Sequence, residues 1–153
     1  PGGEAGDLVE VIYSNLNRGE WRFDEESGLY LRWIDDGSPA DPEMIPLVDR
    51  ETDEQLRFSN VVVLFAYHTE LAPTKHDIAL WDNPSGGEAL LFRDGQVYET
   101  TWTTPSKNQP IRFLDQEGAF LPLKPGNTWV VILGVNSSAV DADGQWTFNF
   151  YLP

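Results

Sequence analysis

Apolar and polar residues alternate with a period of two along most of the chain, the mark of strands that bury one face. In Leu8–Tyr13, Val9, Val11 and Tyr13 alternate with Glu10 and Ile12, predicting a first strand. Glu20–Asp24 and Leu29–Trp33 flank Glu25-Glu26-Ser27-Gly28, predicting a hairpin whose glycine supplies positive φ. Trp21 and Phe23 alternate there with Arg22, while Tyr30 and Arg32 lie on the opposite side from Leu29, Leu31 and Trp33. Two stretches break the alternation with nearly unbroken apolar runs. Asn60–Tyr67 predicts a central strand buried on both faces, and Thr128–Leu133 a second strand suited to a sheet interior. No heptad, helical period or internal repeat competes.

Turn chemistry joins these runs into hairpins. Leu90–Phe92 and Gln96–Trp102 flank Arg93-Asp94-Gly95, and Asp-Gly between strands suits a turn with two positive-φ residues. Gly86-Gly87 before that hairpin predicts a tight turn or bulge; with no helix carrying Lys-Ser/Thr after it, a phosphate loop is excluded. Ile111–Leu114 and Ala119–Leu123 flank Asp115–Gly118, and Asp141–Gly144 turns into the alternating Gln145–Tyr151. Between Asp35 and Ser59 the chain is polar and proline-punctuated, a long surface excursion in which Asp49–Phe58 suits a short helix or 3₁₀ turn. The fold class is therefore mainly β, an antiparallel β-sandwich or curved sheet of roughly nine or ten strands built from hairpins, with at most one or two short helices. Residues 1–7, glycine-rich and uncapped, read as a linker, and 8–153 as one domain.

Composition narrows the classes of partner. The chain is 41% hydrophobic and 23% charged, globular rather than disordered. Its net charge of −15 opposes any partner bound through its phosphates, so nucleic acid and anionic membrane surfaces are poor candidates. No apolar run reaches the ~20 residues of a membrane-spanning helix. With no Cys there is neither a disulfide framework nor a thiolate metal site.

Candidate chemistry is sparse. The two histidines, His68 and His76, bracket one turn, with Asp77 beside the second. His68 with Asp77 is the candidate acid–base pair, since a carboxylate fixes the imidazole tautomer and raises its basicity; Thr69, Thr74 and Ser85 are the nearby hydroxyls. The bland alternative makes His68 a strand-end residue and His76 a loop residue. The acidic cluster Asp35, Asp36, Asp41, Glu43, Asp49, Glu51, Asp53 and Glu54 lacks the ligand spacing of a calcium loop, and Asp141 with Asp143 offers too few ligands. No metal and no cofactor are expected. Aromatic residues make up 12% of the chain, including six Trp, and exposed Trp21, Trp33 and Trp81 would form a flat platform for a glycan. With Tyr30 and Arg32 they are the ligand-binding candidates.

Several of these residues carry a resemblance. Asn60-Val61-Val62-Val63, His68, Gly86-Gly87, Phe92-Arg93-Asp94-Gly95, Trp102, Leu123 and Pro125-Gly126-Asn127-Thr128-Trp129, preceded by Tyr30-Leu31-Arg32, resemble the carboxy-terminal domain of the YerB-like family of bacteria. The likeness spans about residues 16–132, and the excursion from Asp35 to Arg50 departs from the family pattern. It implies an extracytoplasmic protein of the cell envelope, anchored through a lipid-modified amino-terminal cysteine outside this chain, with this domain as the second of two parts. No catalytic or binding residues come with it. The leading expectation is a non-catalytic binding module for an envelope protein or glycan. The alternatives are a hydrolase using His68 and Asp77, and a structural domain supporting a missing partner domain.

Overall fold

The computed structural model describes residues 3–73 and 75–152. In chain order its strands are β1 (Glu4–Ala5), β2 (Leu8–Ser14), β3 (Asn17–Asp24), β4 (Leu29–Asp35) and β5 (Met44–Pro46). These are followed by β6 (Arg57–Phe58), β7 (Asn60–Ala66), β8 (His68–Ala72), β9 (Lys75–Ile78) and β10 (Asn83–Arg93). The last five are β11 (Gln96–Thr104), β12 (Arg112–Leu114), β13 (Thr128–Gly134), β14 (Ser138–Ala142) and β15 (Gln145–Asn149). One sheet runs β1-β11-β10-β7-β13 with β12 beside β11, and the other runs β14-β15-β2-β3-β4-β5 with β6 beside β4. They stack as a sandwich, and β8 and β9 form a separate hairpin.

The space between the sheets is filled by alternate residues of both. Val9, Val11, Trp21, Tyr30 and Phe148 of the second sheet meet Val61, Val63, Phe92, Val97, Val131 and Leu133 of the first. The first sheet is also covered on its outer face, where Val62, Leu64, Ala89, Leu91, Trp102 and Phe113 pack with Ile78, Leu80, Ile111 and Leu121. Burial on both faces is why β7 shows no alternation. Asp94 and Gly95 take φ of 53° and 70°, the paired positive values that the β10–β11 turn calls for.

Four features differ from the expectation. Two pairings are parallel, β7 with β13 and β2 with β15, so hairpins alone do not build the sandwich. β13 stands at the edge of its sheet; Val131 and Leu133 are buried on its inner face, while on its outer face Ile132 is partly covered and Val130 is exposed. Asp49–Phe58, suited by its sequence to a short helix or 3₁₀ turn, forms neither; among the described residues there is no helix, within the bound of at most one or two. Asp49 accepts the N–H groups of Glu51 and Thr52 as a helix cap would, but Asp53 turns at φ 55° and Val48 bridges back to Gln55. Finally, Glu4 and Ala5, expected in a linker, pair with Val97 and Gln96, and Gly6 accepts the Tyr30 hydroxyl at 2.7 Å.

Candidate functional site

The candidate residues taken from the sequence do not converge. Trp21 and Tyr30 are fully buried between the sheets, which corrects their assignment to a binding platform. Arg32 lies on the same inner face: its guanidinium sits 4.0 Å from the Trp21 ring centroid and 5.2 Å from that of Trp129, and it donates to the carbonyls of Glu20 and Trp33. Burial lowers its pKa to about 10. A side chain at Gly19 would run into that guanidinium, so the glycine makes room for it. Trp33 is half-buried on the outer face, covered by the Arg22 guanidinium at 4.1 Å. Trp81 alone of the candidate indoles is exposed, at 55%.

His68 and Asp77 are placed on neighbouring strands but on opposite faces. His68 pairs across the hairpin with Ile78, and Asp77 with Thr69, and directly opposed residues share a face. Neither Asp77 nor Thr69 therefore shares a face with the His68 imidazole; Ser85 stands on β10, and Thr74 lies outside the described residues. What His68 does share its face with is His76, ring centroids 6.4 Å apart, and it packs on Phe150 at 5.8 Å. His68 Nε2 and His76 Nδ1 are both buried without a hydrogen-bond partner. No group of three metal-ligating side chains occurs among the described residues.

Burial, and then the neighbouring His76, lower the His68 pKa below its ordinary 6.5. The unfolded chain thus takes up this proton at a higher pH than the folded domain. Folding stability is unaffected by His68 well above pH 6.5 and falls as pH drops through that value toward the folded-state pKa. The expected outcome is a loss of urea stability as pH is lowered through 6.5 that shrinks in His68→Phe, which keeps the contact with Phe150 and cannot be protonated. An unchanged pH profile in the variant would assign the loss to other groups.

The built concavity is elsewhere, where the sheets part. The inner face of the β10–β11 hairpin carries the cross-strand pairs Phe92/Val97, Leu90/Glu99 and Glu88/Thr101. Phe92 and Val97 are roofed by Trp146 and Phe148 of β15, but Leu90, Glu99, Glu88 and Thr101 run out beyond that cover. The result is a cleft of about 750 Å³ with these residues as its floor and Tyr67, Trp146 and Ala139 among its walls. Among the described residues its lining includes the carboxylates of Glu88, Glu99 and Asp115 and no Lys, Arg or His. Gln116 donates to Glu99 Oε2 at 3.0 Å, tying the loop after β12 to the floor. A second groove of about 510 Å³ shares Leu90, Glu99 and Trp146 and adds Glu4 and Glu117. Its cation among the described residues, Arg93, is stacked over Tyr98 at 4.6 Å and donates to the Pro122 carbonyl.

The mouth of the cleft is shaped by the glycine pair. β10 shifts register between Asn83 and Gly87, and Gly86 there takes φ 61° while its N–H donates to Asn83 Oδ1 at 2.9 Å. Over Gly87 passes the hydrogen bond from Trp102 Nε1 to the Phe65 carbonyl, 2.9 Å long, which a β-carbon at this position would crowd. A bulge beside a concavity is a common way of re-aiming a strand at a functional site.

The sequence contains one signal for this cleft. On the inner face β10 reads Phe92, Leu90, Glu88 toward its start, and β11 reads Val97, Glu99, Thr101 toward its end. Apolar positions give way to carboxylates where the opposing sheet stops.

The fold defines an all-β sandwich domain with a built cleft at one flank. The chain belongs to the family described as "Protein of unknown function (DUF3048) C-terminal domain", whose model matches residues 9–130. It is 30% identical over 142 residues to "Putative lipoprotein YerB" of Bacillus subtilis (strain 168), a match covering 90% of this chain and 38% of that protein. The crystal structure of the YerB protein from Bacillus subtilis matches with a TM-score of 0.65 at 28% identity, over 86% of this chain and 41% of that one. The chain therefore spans well under half the length of the curated relative it matches.

Proposed function

We propose that this domain is a non-catalytic binding module of the bacterial cell envelope and that it takes a polypeptide segment in the cleft beside β10 and β11. The observation that carries the reading is the cleft itself, a built concavity walled by Tyr67, Ala139 and Trp146 with polar groups at fixed positions on its floor, the usual form of a ligand site. The extracytoplasmic setting is supported by the relative described as a lipoprotein. The hydrolase alternative loses its support because His68 and Asp77 occupy opposite faces of their hairpin. A glycan platform is disfavoured because Trp21 and Trp102 are buried and Trp33 lies under Arg22. Trp129 and Trp146 are packed against other aromatic rings, which leaves Trp81 as a single exposed indole.

Panning a random dodecapeptide library on the domain tests this. Selected peptides are expected to lose at least tenfold in affinity for Ala139→Phe, which narrows the cleft from an exposed strand position and leaves the core untouched. Equal binding to that variant, or no enrichment over an unrelated protein, would overturn the cleft as the site.

A further inference from the structure

Resting on the peptide-binding reading of the cleft, we propose that its ligand is a basic, extended segment that pairs with the outer edge of β14 and lays lysine or arginine side chains over Glu88 and Glu99. Two independent features carry this. The first is charge. Glu88 and Glu99 stand on the floor one pair apart, opposite Thr101 and Leu90, and Asp115 flanks them with no cationic side chain among the described lining residues. Glu88 and Glu99 are exposed. A cationic side chain entering here meets only acidic and neutral groups. An acidic segment would meet like charge at each of these positions, which costs affinity.

The second feature is the edge. Among the described residues β14 pairs with β15 alone, and its other side carries no strand. Its sequence, Ser138-Ala139-Val140-Asp141-Ala142, contains neither the lysine nor the proline with which edge strands are commonly blunted, whereas β5, at the far edge of the same sheet, ends in Pro46. The edge of β11 is largely occupied, by β1 at Gln96 and Val97 and by β12 at Thr101–Thr103. Because Ala139 itself lines the cleft, a strand added beside β14 runs along the uncovered floor. Adjacent strands lie ~4.8 Å apart and facing sheets ~10 Å apart, so every second side chain of the added strand reaches the floor. Main-chain bonds to β14 supply affinity for any extended segment, and the carboxylates select alternating basic residues, the division of labour in strand-addition complexes.

The probe is a capped octapeptide of alternating lysine and valine, with two counterparts: glutamate in place of lysine, and the lysine peptide N-methylated at alternate residues along one edge. Binding is read by fluorescence anisotropy at low salt and by backbone amide shifts of the ¹⁵N-labelled domain. The lysine peptide is expected to bind and to shift residues 88–90, 99–101 and 138–142. Affinity should fall about tenfold in Glu88→Gln/Glu99→Gln, whose side chains are exposed and whose fold is not at stake. Binding should be lost for the glutamate peptide and weakened at least tenfold by N-methylation. Undiminished binding of the lysine peptide to the double variant, or equal binding of the glutamate peptide, overturns basic recognition; the cleft reading survives that result if library-selected peptides still fail on Ala139→Phe. Undiminished binding of the N-methylated peptide overturns strand addition. Shifts confined to residues away from the cleft overturn both the inference and the reading beneath it.

Discussion

Trp102→Ala is expected to lower the folding stability of this domain by about 3–5 kcal/mol, measured by urea denaturation at neutral pH. The side chain is 1% exposed and lies among Val62, Leu64, Leu91 and Phe113, on the outer face of the first sheet. Alanine removes the packed indole, leaves a cavity in a layer closed by the 111–121 segment, and strands the Phe65 carbonyl that the indole N–H reaches at 2.9 Å. Since a domain of this size is stable by only ~5–15 kcal/mol, such a loss removes a large share of it. Trp102→Phe separates the two contributions. It keeps much of the packing and should cost about 1–3 kcal/mol, chiefly from the unpaired carbonyl. Equal losses in the two variants would mean that the outer layer does not depend on the indole's volume.

Gly86→Ala is expected to be comparably damaging for a different reason. At φ 61° a side chain costs roughly 1–3 kcal/mol in backbone strain alone. The added methyl would also overlap the Trp102 carbonyl oxygen, and Trp102 cannot retreat because it is paired with Gly87 on one side and Phe113 on the other. Gly37 supplies the control: it has φ 75°, but nothing lies within 4 Å of the point where an added methyl group would stand, so Gly37→Ala carries strain without a clash. Gly86→Ala should therefore unfold at clearly lower urea than Gly37→Ala. Matching midpoints would show that the bulge relaxes to admit a side chain and does not rigidly shape the mouth of the cleft.

The family likeness and the sandwich class were legible in the sequence because they rest on local signals: the Asp94-Gly95 turn, the glycine pair, and the apolar run of β7. Pairing over long distance was not. Nothing in Thr128–Gly134 or Gln145–Asn149 announces that each lies parallel to a strand far back in the chain, and the apolar run of β13 continues through Val130, which is exposed at the sheet edge. The tryptophans misled for a related reason. Trp21 and Trp33 sit on adjoining strands of one hairpin, yet one faces the opposing sheet and the other faces outward beneath Arg22. Which face of a hairpin becomes the inside is decided by the partner sheet, and Tyr30 and Arg32 went inward with Trp21. The histidines were close in sequence and do end on one hairpin, but its register sets Asp77 on the other face. The cleft draws its walls from β10, β11, the 135–139 segment and β15, so only the carboxylates at otherwise apolar positions hinted at it.

The histidine hairpin and the cleft thus compete as the functional surface, and the geometry favours the cleft. One titration decides between them. When the ¹⁵N-labelled domain is titrated with a library-selected peptide, the largest amide shifts are predicted at Gly86–Leu90, Glu99–Thr101 and the segment from Val135 to Val140, with the His68–Ile78 hairpin unmoved. Shifts centred on His68 and His76, with residues 86–101 silent, would contradict the account.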